Sequence, residues 1–82
     1  MNKKNAENAA VTSLWLARVA NRDDAEKLGQ LDSIEHILSI ALKLKDDARY
    51  EALAYLTAIV EQKFSWLVSD FRRLAYAYRM PR

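Results

Sequence analysis

The chain has 82 residues, 51% hydrophobic and 29% charged, which excludes disorder as the default and fits one small domain. One Gly and one Pro exclude an all-β architecture, which needs turn residues at every hairpin. Zero Cys excludes a disulfide scaffold or thiolate chemistry, and a single His excludes the commonest zinc sites.

The first predicted helix runs from about Ala6 to Leu28. Ala6, Ala9, Ala10, Ala17, Ala20 and Ala25 have the highest helix propensity. Val11, Leu14, Trp15, Arg18 and Val19 recur at spacings of three and four and form its expected core stripe. A rival reading breaks this helix at Asn21-Arg22 and starts a short helix with Asp23 as N-cap and Glu26 at N3. Gly29 follows Leu28 and reads as the left-handed residue just past a helix end.

The second predicted helix runs from about Asp32 to Lys45. Asp32 and Glu35 have capping-box spacing, Ile34, Ile37, Leu38, Ala41 and Leu44 form the stripe, and Lys43 and Lys45 suit the negative end of the helix dipole. A turn is expected near Lys45-Asp46-Asp47, where either Asp can cap the next helix.

The third predicted helix, about Asp47 to Arg79, carries the cleanest pattern. Leu53, Thr57, Val60, Phe64, Leu67, Phe71, Leu74 and Tyr78 repeat at alternating steps of four and three, interrupted chemically only by Thr57. A second apolar edge holds Ala52, Leu56, Ile59, Trp66 and Ala75. Pro81 marks the end. About 30 residues at 1.5 Å each make roughly 45 Å of helix. The expected fold is all-α: a single domain over residues 1–82, three helices in an up-down arrangement with a long C-terminal spine. Two apolar edges on that spine predict pairing into a homodimer, with Val60, Phe64, Leu67, Phe71 and Leu74 as the self-association seam.

Motifs that carry chemistry are scarce. The chain has no Gly-rich phosphate loop, no G-x-S-x-G and no H-E-x-x-H. His36 is the only imidazole, and Asp32, one turn earlier, could orient it; a surface residue is the expected role. Asp23, Asp24 and Glu26, like Asp46, Asp47 and Glu51, sit where helix N-termini favour negative charge, so capping accounts for them. Ala25 to Gly29 has the spacing of a helix-turn-helix turn, but the helix after it is acidic and apolar, which argues against DNA reading. No catalytic residue, cofactor or metal is therefore expected.

Charge is polarised although the net charge is only +2. Asp23 to Glu61 holds nine acids and four bases, whereas Phe71 to Arg82 holds four Arg and no acid. On a helix Arg72, Tyr76 and Arg79 share a face. Arginine with tyrosine suits a protein hot spot, and it also suits clamped phosphates and stacked bases. The expected function is a non-enzymatic interaction protein, an adaptor, inhibitor or accessory subunit, that docks on another protein through Trp66, Arg72, Arg73, Tyr76 and Arg79. A nucleic-acid-binding regulator using the same basic end is the alternative. Neither a secretory signal nor an apolar stretch of membrane-spanning length is read, so the cytoplasm is the expected compartment and no membrane partner is expected. In length and composition the chain resembles accessory proteins of phages and plasmids, a likeness of type that assigns no residue.

Overall fold

A computed structural model describes residues 2–79, and they are all-helical. Four α-helices follow one another: α1 (Lys3–Ala20), α2 (Ala25–Lys43), α3 (Asp46–Lys63) and, after a 3₁₀ turn at Ser65–Leu67, α4 (Val68–Ala77). No helix among the described residues is long and apolar enough to cross a membrane. Pro81 and Arg82, read as the helix terminator and part of the basic end, lie outside the described residues.

The predicted boundaries shift for identifiable reasons. The first helix ends at Ala20, not Leu28, because Asn21 caps it twice. Its backbone N–H and its side-chain amide both donate to the Ala17 carbonyl. Asp24, one residue after the expected cap, then accepts from the Lys27 backbone N–H at 3.1 Å and starts α2. Short polar side chains that bond the nearby backbone make such breaks competitive with helix.

Gly29 does not end a helix. It lies in the first half of α2 without a positive φ, so the second helix begins seven residues before Asp32. Leu31, Ile34, Leu38 and Ala41 are buried on its inner face. That packing outweighs the roughly 1 kcal/mol by which glycine disfavours a helix interior. The α2 end is closed by Arg49, whose Nε donates to the Leu44 carbonyl at 2.6 Å. Asp46 then turns the chain with φ 55°, a left-handed conformation that Asp tolerates better than most residues.

The long third helix is two helices. Phe64 leaves helical geometry at φ −139° and ψ 73°, and α4 folds back along α3. The Thr57 hydroxyl reaches the Leu53 carbonyl at 2.8 Å and the Phe71 carbonyl of α4 at 3.1 Å. Fourteen residues of continuous helix would hold Thr57 and Phe71 about 21 Å apart. All eight residues of the predicted repeat are buried, but they face one another across the fold-back. Val60, Phe64, Leu67, Phe71 and Leu74 are thus core of a single chain, with no exposed surface to offer a second copy. The self-association seam is corrected accordingly.

The face that α1 turns inward also differs from expectation. Ala6, Ala10, Leu14 and Ala17 are buried, while Val11, Trp15 and Val19 are exposed. Small residues let α1 approach α4 closely. Two side-chain links to α4 set its rotation: Tyr78 Oη donates to Glu7, and Ser13 Oγ donates to Asp70. The Tyr78 ring lies under Lys3 Nζ, 5.2 Å from its centroid, and Arg49 Cζ at 4.7 Å. Burial and the neighbouring Glu7 carboxylate push the Tyr78 phenol up to about 12, partly opposed by Arg49.

Candidate functional site

The expected contact residues occupy α4, the turn before it and the segment just past its end, and the fold separates them. Phe71, Leu74 and Ala75 take the inner face of α4. Residues offset by 100° per step then fall on its flanks and its outer side. Arg72 lies towards α3, where its guanidinium reaches Glu61 Oε1 at 3.2 Å. Tyr76, 74% exposed, stands on the outer side next to Arg73. Arg79 follows Tyr76 just past the helix end and donates its backbone N–H to the Tyr76 carbonyl at 3.1 Å. These four form one basic surface around a tyrosine.

Trp66 belongs elsewhere. It packs edge-on against Phe64, with ring centroids 5.6 Å apart and planes at 84°, and remains 55% exposed. Its other neighbours are on α1. A groove of about 270 Å³ is lined by Trp66, Leu67 and Asp70 on one side and by Ser13, Leu16, Ala17 and Ala20 on the other. Asp70 and Arg72 differ by about 200° around α4, so Trp66 sits on the opposite flank from Arg72.

A second exposed surface was missed at the sequence level. The outward side of α1 carries Val11, Trp15, Leu16 and Val19, all about half exposed or more, with Trp15 at 62%. Both tryptophans of the chain are therefore on the surface. A groove of about 390 Å³ runs between α1 and α2, with Val11, Trp15, Leu38 and Leu42 in its wall and Arg18 and Glu35 at its polar edge. The available signal was the uncharged run Asn8 to Ala17, the longest in the chain.

His36 lies exposed on α2 at a shallow polar depression shared with Arg18, Asp32, Glu35 and Ser39. Asp32 does not orient the imidazole. It accepts from the Arg18 guanidinium, which also lies 3.5 Å from Glu35. That hydrogen bond and the Asp32 charge hold Arg18 above its ordinary pKa. Asp24 caps α2, and Asp46 and Asp47 occupy the first turn of α3, where the helix dipole favours them. Among the described residues no three His, Asp or Glu side chains converge where they could hold a metal. Two exposed surfaces remain, one aromatic and basic on α4, the other aromatic on α1. No protein-family model, curated protein or solved structure matches this chain, so its functional reading rests on these surfaces.

Proposed function

We propose that the chain is a small non-enzymatic interaction protein that docks on another protein through the outer side of α4. Tyr76 carries this reading. A tyrosine 74% exposed on a short helix, next to Arg73 and ahead of Arg79, gains little from its own fold. Tyr and Arg are the residue types that dominate binding hot spots, because each combines apolar area with directed hydrogen bonds. The arginines favour an acidic patch on the partner, and Arg72, already bonded to Glu61, contributes less than Arg73. Trp66 drops out of this surface because it lies on the other flank of α4.

Affinity capture from the source cells, with and without nuclease, tests the proposal. A specific protein should be retained after nuclease treatment. Tyr76→Ala should weaken its binding by about 2 kcal/mol or more while helicity is unchanged. Capture that disappears with nuclease, and binding to generic strands that falls steeply between about 50 and 200 mM salt, would transfer the site to nucleic acid.

A further inference from the structure

The outward side of α1 is built the reverse of an ordinary surface helix. Its inner face is alanine apart from Leu14, while Val11, Trp15, Leu16 and Val19 remain about half exposed or more. A helix in a small domain normally buries its largest apolar residues, since each contributes about 1.5–3 kcal/mol on leaving water. Here about half of that contribution is unrealised within one chain. Trp66 extends the same apolar surface across the groove beside Leu16.

From these observations we infer that this face is a self-association surface, on which a second copy of the chain lays its own α1 antiparallel. It is independent of the docking surface on α4. Charge is the first argument for a second copy as the occupant. A two-fold axis sets a surface against itself, so a charge near the axis meets its own kind. From Asn8 to Ala17 the helix carries no charge. With the axis at Trp15, Val11 opposes Val19, Thr12 opposes Arg18 and Ala10 opposes Ala20, so no like charges face each other where the two helices overlap. Val11, Trp15 and Val19, spaced by four, also form the kind of ridge that packs across an identical ridge.

Area is the second argument. At the observed exposures these four side chains and Trp66 present on the order of 500 Å² of apolar surface per copy. With all of it covered, two copies bring together about 1,000 Å², the lower limit for a specific interface and the size of a weak, reversible one. The grooves on either side of α1 give the opposing side chains somewhere to seat.

Sedimentation equilibrium of the full chain between 1 and 200 µM (about the range in which an interface near this lower size limit would dissociate) tests the inference. The wild type should be a dimer that dissociates on dilution, with its tryptophan emission shifting to longer wavelength. Trp15→Glu should raise the dissociation constant at least about 30-fold, the size of a hot-spot loss. Its circular dichroism should match wild type, since the side chain is mostly outside the core. If Trp15→Glu does not fold, Val19→Lys is the second variant and should dissociate the dimer as well. Tyr76→Ala should leave the dimer intact, which separates failure here from failure of the docking surface. A wild-type monomer at the highest concentration, or a dimer unaffected by Trp15→Glu and Val19→Lys, would overturn the inference.

Discussion

Replacing Gly29 by Ala decides between two descriptions of the same residue. If Gly29 ended a helix in the left-handed region, the alanine Cβ would be strained there and stability would fall by about 1–2 kcal/mol. In the structure Gly29 lies within α2, is exposed, and has no positive φ. A Cβ added there meets no heavy atom within 4 Å beyond its chain neighbours and the backbone of its own helix. The Ser33 hydroxyl, which donates to the Gly29 carbonyl at 3.2 Å, is undisturbed by a methyl group on the neighbouring carbon. What remains is the helix preference for alanine, about 0.8–1.0 kcal/mol, much of it from restricting the unfolded chain. Gly29→Ala should therefore raise stability by about 1 kcal/mol, or the melting temperature by about 4–8 °C for a domain this size. Thermal and urea denaturation followed at 222 nm, at equal protein concentration, measure it. The urea midpoint should rise with an unchanged slope. A lower melting temperature would refute the continuous α2.

Two further perturbations probe the α1–α4 and α3–α4 contacts. Tyr78→Phe should cost about 1 kcal/mol near neutral pH, where it removes the bond to Glu7. The Tyr78 phenol is raised from 10.0 to about 12 in the fold, so the unfolded chain loses its proton first. Wild-type stability should consequently fall as pH rises from 10 towards 12, and the gap to Tyr78→Phe, which has no proton to lose, should close. A gap constant across that window in urea titrations would contradict the assigned burial. Thr57→Val should change stability by less than about 1 kcal/mol in the same assay, because both carbonyls its hydroxyl reaches lie inside helices and keep their amide donors. A loss above about 2 kcal/mol would mean that the hydroxyl, rather than the methyl, holds α3 against α4.

The sequence pattern was most informative about burial and least informative about direction. Every member of the Leu53-to-Tyr78 repeat is buried, yet the repeat passes through a reversal of the chain without a missed step. The reason is geometric. Phe64 to Leu67 is a step of three, and a 3₁₀ turn realigns side chains every three residues, so the turn preserves the phase of the stripe. With no Gly or Pro between Lys63 and Val68, nothing local announced the bend. Phe64→Asp, which a dimer seam would have made a dissociating change, is therefore a core disruption. Asn21 to Asp24 is a milder case: the polar cluster offered a break as the rival to a continuous helix, and the break is what forms, with Asp24 rather than Asp23 as the cap. The basic arginines of α4 were legible as a surface, but the position of Trp66 relative to them depended on which flank of α4 meets α1.

The orientation of α1 was ambiguous because the helix carries two stripes. Ala6, Ala10 and Ala17 line one side, and Val11, Trp15 and Val19 the other, both at helical spacing. Hydrophobicity favours burying the second. Close packing against α4 admits only the first, since a tryptophan cannot occupy the space of an alanine at a helix crossing without forcing the helices apart. A buried face with Leu14 as its one large side chain orients a helix weakly. The side-chain links supply what they lack, and they are spread along its length: Glu7 with Tyr78, Ser13 with Asp70, and Arg18 with Asp32. The last is exposed and contributes little, but the first two are partly buried and would leave polar groups unmatched if α1 turned. A rotation of roughly 150°, enough to bring Trp15 inward, would break all three links at once. The exposure of the tryptophan face is thus specified by polar contacts at separate heights along α1.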